Sequence, residues 1–345
     1  MALNSVHEDP SGRVALLERD DRYRGLLAEI HGERFTAYRE AWEKTGERKD
    51  PRDFPLSLDF RVNAGCQLFC VMCPVGKTPL PRENTLMDPG LYADILSQGK
   101  ENSLPAVTLG MASEPLLHPD PAGLVRIARD AGVMDIRLGT NGLALTPALS
   151  DALADSGLAR LEVSLDAATP RTYSRVRKGG DFAKVLANVE YFLERGEKRS
   201  SKLPLLRLSF LKLPENESEL PLFLETWKDR ADMLSIQNPV PVGPPARPEP
   251  GEEREEEPAA EPLSCPQPWQ RLGVLEDGTL WPCCSLLGKD LLRGKNAARE
   301  SIRDIWKSEA METLRARLLS PKAPKACRDC FRKPDAESLP RNPAR

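Results

Sequence analysis

Six apolar runs, residues 56–62, 106–111, 135–141, 160–166, 205–213 and 233–242, recur along the middle of the chain. A helix-length segment separates each from the next, with helical patterning at 89–98, 122–131, 147–155, 182–195 and 220–229. Segment 182–195 shows it plainly: Val185, Leu186, Val189, Phe192 and Leu193 fall on one stripe. Strands that alternate with helices make a parallel sheet joined by right-handed crossovers. A closed eight-fold barrel takes about 250 residues, and only about 190 are available between 55 and 243. The expectation is an α/β fold, a partial (β/α)6 TIM-like barrel, with its chemistry on the loops at the C-terminal strand ends.

The flanks divide the rest. Residues 1–54 read as an N-terminal helical extension: polar and loose to about 15, then Tyr23, Leu26, Leu27, Ile30, Phe35, Tyr38 and Trp42 at helical spacing. They are expected to pack outside the main domain. After the barrel, 55–243, an acidic Pro/Glu-rich linker spans 244–262. A small cysteine-rich domain, 263–335, and a tail, 336–345, complete the chain. The 49 basic and 52 acidic residues balance without a basic block, which argues against nucleic acid as a partner. No apolar run reaches membrane-spanning length, and residues 1–13 hold no apolar signal core, so the expected location is the cytoplasm. Eight cysteines in tight groups then read as metal ligands rather than disulfides.

The first group is Cys66-Gln-Leu-Phe-Cys70-Val-Met-Cys73, immediately after the first strand. Thiolates suit zinc and iron–sulfur clusters. Three ligands in so short a loop can hold three corners of a cubane and leave the fourth iron open, whereas structural zinc normally has four closed ligands. A zinc knot and a plain electron-carrier cluster are the alternatives on these residues alone.

The C-x₃-C-x₂-C spacing after a first strand resembles the signature of radical S-adenosylmethionine (SAM) enzymes. The resemblance implies a SAM-binding [4Fe–4S] cluster at Cys66, Cys70 and Cys73, whose open iron chelates SAM. Reductive cleavage would then yield a 5′-deoxyadenosyl radical. It also implies a flavodoxin- or ferredoxin-type reductant. Met72 stands where the family commonly has an aromatic residue, leaving a weaker adenine-facing contact. Later strand ends carry further marks in the family's order. Gly110-Met111-Ala112-Ser113-Glu114-Pro115 is similar to its G-G-E-P turn, with the second glycine lost, and implies contacts from Ala112, Ser113 and Glu114 to the SAM ammonium. Thr140-Asn141-Gly142 resembles its T-N-G turn, which places Asn141 in the SAM site. Ser164-Leu165-Asp166 matches its S-x-D, implying hydrogen bonds from Ser164 and Asp166 to the SAM ribose and carboxylate. Arg175 or Arg177 offers a bidentate clamp for that carboxylate.

Beyond the linker, Cys265-x₁₂-Gly278-x₄-Cys283 and the terminal Cys327-x₂-Cys330 resemble the SPASM or shortened twitch auxiliary-cluster domain of these enzymes. Cys265, Cys283, Cys327 and Cys330 would then hold one auxiliary [4Fe–4S] cluster; a Cys₄ zinc ribbon is the alternative. Three plus four cysteines leave Cys284, either a small buried residue or a thiol able to return a hydrogen atom to a substrate radical.

The cysteine spacing looks most like that of aminocyclitol dehydrogenases, which implies oxidation of a secondary alcohol on a sugar or aminocyclitol, with the auxiliary cluster as electron acceptor. Epimerisation through Cys284 is the runner-up. Peptide modification is a third reading, which the N-terminal segment is expected not to serve because it is too short and helical for a leader-binding domain. A two-cluster electron carrier is the non-enzyme alternative. With only His7, His31 and His118, histidine acid–base chemistry has little material.

Overall fold

The structure, a computed structural model, describes residues 5–8, 14–18, 22–73, 75, 85–198, 201–239, 262–283, 285, 288 and 290–331. Linker residues 244–261, tail residues 336–345 and Cys284 lie outside the described residues.

Six parallel strands form the centre: β3 (Ser57–Phe60), β4 (Ala106–Leu109), β5 (Asp135–Thr140), β6 (Arg160–Ser164), β7 (Leu205–Leu211) and β8 (Met233–Gln237). They are hydrogen-bonded side by side in chain order, and β3 and β8 do not pair with each other. This is the partial barrel that the alternation predicts. Helices α3 (Pro89–Glu101), α4 (Pro121–Asp130), α5 (Pro147–Ala154), α6 (Pro170–Val176), α7 (Phe182–Lys198) and α8 (Leu220–Trp227) make the crossovers. Four of them start alike. Asp88, Asp120, Thr146 and Thr169 each accept a backbone N–H three residues on and are followed by proline, which has no N–H to leave orphaned.

The N-terminal segment departs from expectation. It contains two strands, β1 (Ser5–Glu8) and β2 (Val14–Glu18), before helices α1 (Arg22–His31) and α2 (Glu33–Arg48). β2 pairs antiparallel with β8, from Val14 opposite Gln237 to Glu18 opposite Met233. An open barrel leaves β8 with an edge of unpaired backbone groups, and the largely apolar run Val14-Ala15-Leu16-Leu17-Glu18 pairs with it. The helices are not peripheral either. Tyr23, Leu26, Leu27, Phe35 and Tyr38 pack against Leu56, Ala106, Met134, Ala159, Leu205 and Met233, at the N-terminal ends of the strands, and so close the floor of the barrel.

The opposite edge is covered by the cysteine-rich domain. After α9 (Gln267–Gln270), β9 (Arg271–Val274) runs parallel to β3 with Ser57 opposite Arg271, and β10 (Leu280–Trp281) returns antiparallel. α10 (Ile302–Trp306), α11 (Glu309–Leu318) and α12 (Lys325–Phe331) follow. Trp306, fully buried, donates its indole N–H to Arg52 O at 2.8 Å, and Arg315 bonds Trp306 O and Pro268 O. One sheet of ten strands therefore runs through both domains.

Candidate active site

The loop that follows β3 carries the three clustered cysteines across the C-terminal mouth of the barrel. Its backbone is pinned to the end of α6: Phe69 N–H donates to Lys178 O at 2.8 Å and Val71 N–H to Val176 O at 3.0 Å. A third tie runs from Glu114 N–H to Gly65 O at 2.9 Å. Cys66, Cys70 and Cys73 thereby line one cavity of about 450 Å³. Met72, Ala112, Ser113 and Glu114 line it too, as do Asn141, Ser164, Asp166 and Arg177. Arg175 is exposed and does not.

Several of these side chains hold one another. The buried Glu114 carboxylate accepts from Leu116 N–H (3.1 Å), Thr140 Oγ1 (2.6 Å) and Asn141 N–H (2.7 Å), tying the β4 and β5 strand ends together. Burial raises its pKa above the usual carboxylate range, against the pull of these bonds. Asn141 Nδ2 stands 3.8 Å from Cys66 Sγ and 3.3 Å from Gln67 Oε1. Asp166 spends both oxygens internally. Oδ2 accepts from Arg177 Nε (3.0 Å) and Nη2 (2.5 Å), and Oδ1 accepts from Leu211 N–H at 2.7 Å. Arg177 then directs Nη1 to Cys70 Sγ, 3.9 Å away. Asp166 orients the arginine beside Cys70, and Ser164 Oγ accepts a 3.2 Å hydrogen bond from Ser209 Oγ.

Backbone geometry shapes the second turn. Gly110 has φ +111°, and a Cβ there would lie 2.4 Å from Gly139 O, so only glycine fits. Ala112 also has positive φ, +52°. The turn thus holds a left-handed alanine, a conformation that costs an L-residue about 1–2 kcal/mol.

The lower cavity holds residues that motif reading missed: Asp59, Thr108, Arg137, Glu162, Gln237 and Arg271. Their signal was in the sequence. Charged residues at every second position inside apolar runs, Asp135 and Arg137 on β5, Arg160 and Glu162 on β6, mark a polar inward face. Asp59 accepts from Arg271 at 2.9 Å, and Glu162 pairs with Arg207 at 3.3 Å.

Cys265, Cys283, Cys327 and Cys330 surround a second, apolar cavity with Leu291, Leu314 and Leu318. Gly288 lets the backbone approach, since a Cβ would stand 2.9 Å from Cys283 Sγ. None of the seven described cysteines is in a disulfide. Among the described residues, no three His, Cys, Asp or Glu side chains gather tightly enough for a single ion. Both sets instead ring cavities, an arrangement that suits thiolate ligands spread around a cluster. Burial pushes the thiol of Cys70 up to about 11 and that of Cys327 up to about 12, so a cluster held by them would have to displace their protons.

Residues 61–225 match the Radical SAM superfamily, and residues 265–331 match the SPASM iron–sulfur cluster-binding domain. The two matches lie in the order of the barrel and the cysteine-rich domain. The chain carries a radical SAM domain followed by a SPASM domain, and with them a SAM-binding [4Fe–4S] cluster and auxiliary iron–sulfur binding. A probable GTP 3′,8-cyclase of Methanocaldococcus jannaschii is 32% identical over 129 residues, 37% of this chain and 41% of that protein. The chain thus matches less than half the length of that relative. BtrN in complex with AdoMet and 2-DOIA superposes with TM-score 0.50 at 18% identity, covering 80% of this chain and 90% of that one. The enzyme anSMEcpe with AdoMet and the Cp18Cys peptide gives TM-score 0.55 at 15% identity, covering 82% and 92%. Both likenesses are of fold. Among the described residues, no helix is long and apolar enough to cross a membrane.

Proposed function

We propose that this chain oxidises a secondary alcohol on a sugar or aminocyclitol, taking electrons from a flavodoxin- or ferredoxin-type reductant to start each turnover. The observation that carries the reading is the polar floor of the barrel cavity. Asp59, Thr108, Glu162, Ser209 and Gln237 offer donors and acceptors to a hydroxylated substrate. Cys66, Cys70 and Cys73 would hold the cluster, with Met72, Ala112, Ser113, Glu114, Asn141 and Ser164 around SAM. Bound there, SAM and its cluster supply a carbon radical that takes a hydrogen atom from a substrate C–H. Arg177, set by Asp166, fixes charge beside Cys70. Cys265, Cys283, Cys327 and Cys330 would hold an auxiliary cluster suited to accept the second electron. The N-terminal helices and α-helical shell exclude water from the floor.

Cyclisation of a nucleotide is the second reading, favoured by the 32% identity to a probable GTP 3′,8-cyclase. The test is anaerobic incubation of the reconstituted protein with SAM, reductant and a panel of sugars, aminocyclitols and GTP. The expected result is 5′-deoxyadenosine together with a ketone two mass units lighter than its parent alcohol. An isomeric product of GTP, with no ketone from any alcohol, would replace this reading with the second.

A further inference from the structure

The buried groups around the barrel floor carry more positive than negative charge, and Arg137 is the one on β5 that lines the cavity. On β5, Ile136 and Leu138 are buried in the outer core, while Arg137 and Gly139 line the cavity. Arg137 stands beside Thr108 of β4, and Gly139 beside Glu162 of β6. Asp59 is taken by Arg271 and Glu162 by Arg207. The carboxylate nearest Arg137 is Asp135, 3.6 Å from Nε and beyond hydrogen-bond distance. Asp135 already accepts from the hydroxyls of Tyr23 and Tyr38, and it also faces Arg160, whose guanidinium lies over the Tyr23 ring. Three carboxylates, Asp59, Asp135 and Glu162, thus face five guanidiniums, Arg39, Arg137, Arg160, Arg207 and Arg271, and Arg137 shares Asp135 with Arg39 and Arg160.

Hydrogen bonding points the same way. Arg137 Nε and Nη2 have no hydrogen-bond partner, nor has Thr108 Oγ1 on the neighbouring strand, and Nε keeps only the 3.6 Å ion pair with Asp135. The Nε–Nη2 edge can hold an oxyanion with two bonds; in this molecule the same edge of Arg177 holds the single oxygen Oδ2 of Asp166. The Arg137 side chain is 18% exposed, but Nε and Nη2 themselves are buried, so a ligand would engage that edge only once the guanidinium turns. One pleat above, the absent side chain of Gly139 keeps the way open. A Cβ there would meet nothing nearer than Leu109 O at 4.0 Å, and its backbone does not require glycine.

We propose that Arg137 forms an oxyanion subsite at the barrel floor, reached past Gly139, which binds a carboxylate or phosphate group of the substrate. The proposal rests on the reading of this cavity as the substrate site, and narrows the substrate to an acidic or phosphorylated polyol.

The test is titration of the cluster-reconstituted, SAM-loaded protein with inorganic phosphate and, separately, acetate. Wild type should bind one or both saturably. Arg137→Gln should weaken that binding about tenfold or more, and Arg137→Lys should retain part of it. Gly139→Val leaves Arg137 in place and should weaken binding by blocking the approach, so the idea is tested even if Arg137→Gln fails to fold. Preference for phosphate would assign a phosphorylated substrate, and preference for acetate a carboxylate. No saturable binding to wild type, or equal affinity in wild type and every folded variant, overturns the subsite while SAM binding stands. Failure of wild type to bind SAM overturns the functional reading itself.

Discussion

Arg177 grips Asp166 through Nε and Nη2 and extends its remaining amino group toward Cys70 Sγ, 3.9 Å away. The pair is buried, and the carboxylate is also bonded to Leu211 N–H. Asp166→Asn keeps the shape, and asparagine tolerates the left-handed backbone found here, φ +54°. It removes the charge that Arg177 needs. Breaking a buried pair from one side costs about 3 kcal/mol. The variant should unfold at lower denaturant and show a shifted midpoint potential for the SAM-binding cluster; an unchanged potential would mean that Arg177 does not act on Cys70.

Iron content separates the two cysteine sets. The reconstituted protein should carry about eight irons and eight sulfides, and Cys66/Cys70/Cys73→Ala about four of each. Replacing Cys265, Cys283, Cys327 and Cys330 by alanine should also leave about four, with SAM binding kept. One zinc in place of four irons would make the second site a zinc ribbon and remove its electron-acceptor role.

Glu219 gives the acid limb of the stability profile a defined origin. Burial alone would raise its carboxyl. Hydrogen bonds from Thr169 Oγ1, Thr172 Oγ1 and the N–H groups of Ala168 and Thr169 outweigh this and hold it below the usual range. With the folded pKa below the unfolded one, its contribution is complete above the unfolded value, about 4.3, and is lost as pH falls through the folded value. Glu219→Gln should therefore flatten the stability profile below about pH 4.3. Denaturation midpoints from pH 2.5 to 6 give the comparison.

The turn after β4 predicts opposite outcomes two residues apart. Gly110→Ala forces a Cβ onto Gly139 O and should cost about 2–3 kcal/mol or prevent folding. Ala112→Gly relieves a left-handed alanine and should gain about 1 kcal/mol. Chemical denaturation of both variants checks the pair, and equal effects would mean that the turn adapts.

Motifs at strand ends were legible because each is local in sequence. The triplet of cysteines, Glu114, Asn141, Asp166 and Arg177 all sit where a short run ends in a turn, and the structure gathers them around one cavity. The six central strands were legible for a similar reason, since their outward faces form continuous apolar patterns. The N-terminal hairpin was not. β2 pairs with β8, more than 200 positions away in the register of Val14 with Gln237, and β1 pairs only with β2. The use of Asp166 was hidden too. Motif position places it near SAM, but only the folded chain shows both oxygens engaged by Arg177 and Leu211. Cys284 falls outside the described residues, so the hydrogen-donor reading rests on sequence alone.

The parallel register of β9 on β3, from Ser57 opposite Arg271 to Phe60 opposite Val274, has a practical consequence for anyone dividing this chain. Cutting after the barrel would strip β3 of one of its two neighbours and bare a row of backbone donors and acceptors on a buried strand, a template for sticking to other chains. The excised barrel should precipitate rather than behave as a minimal enzyme.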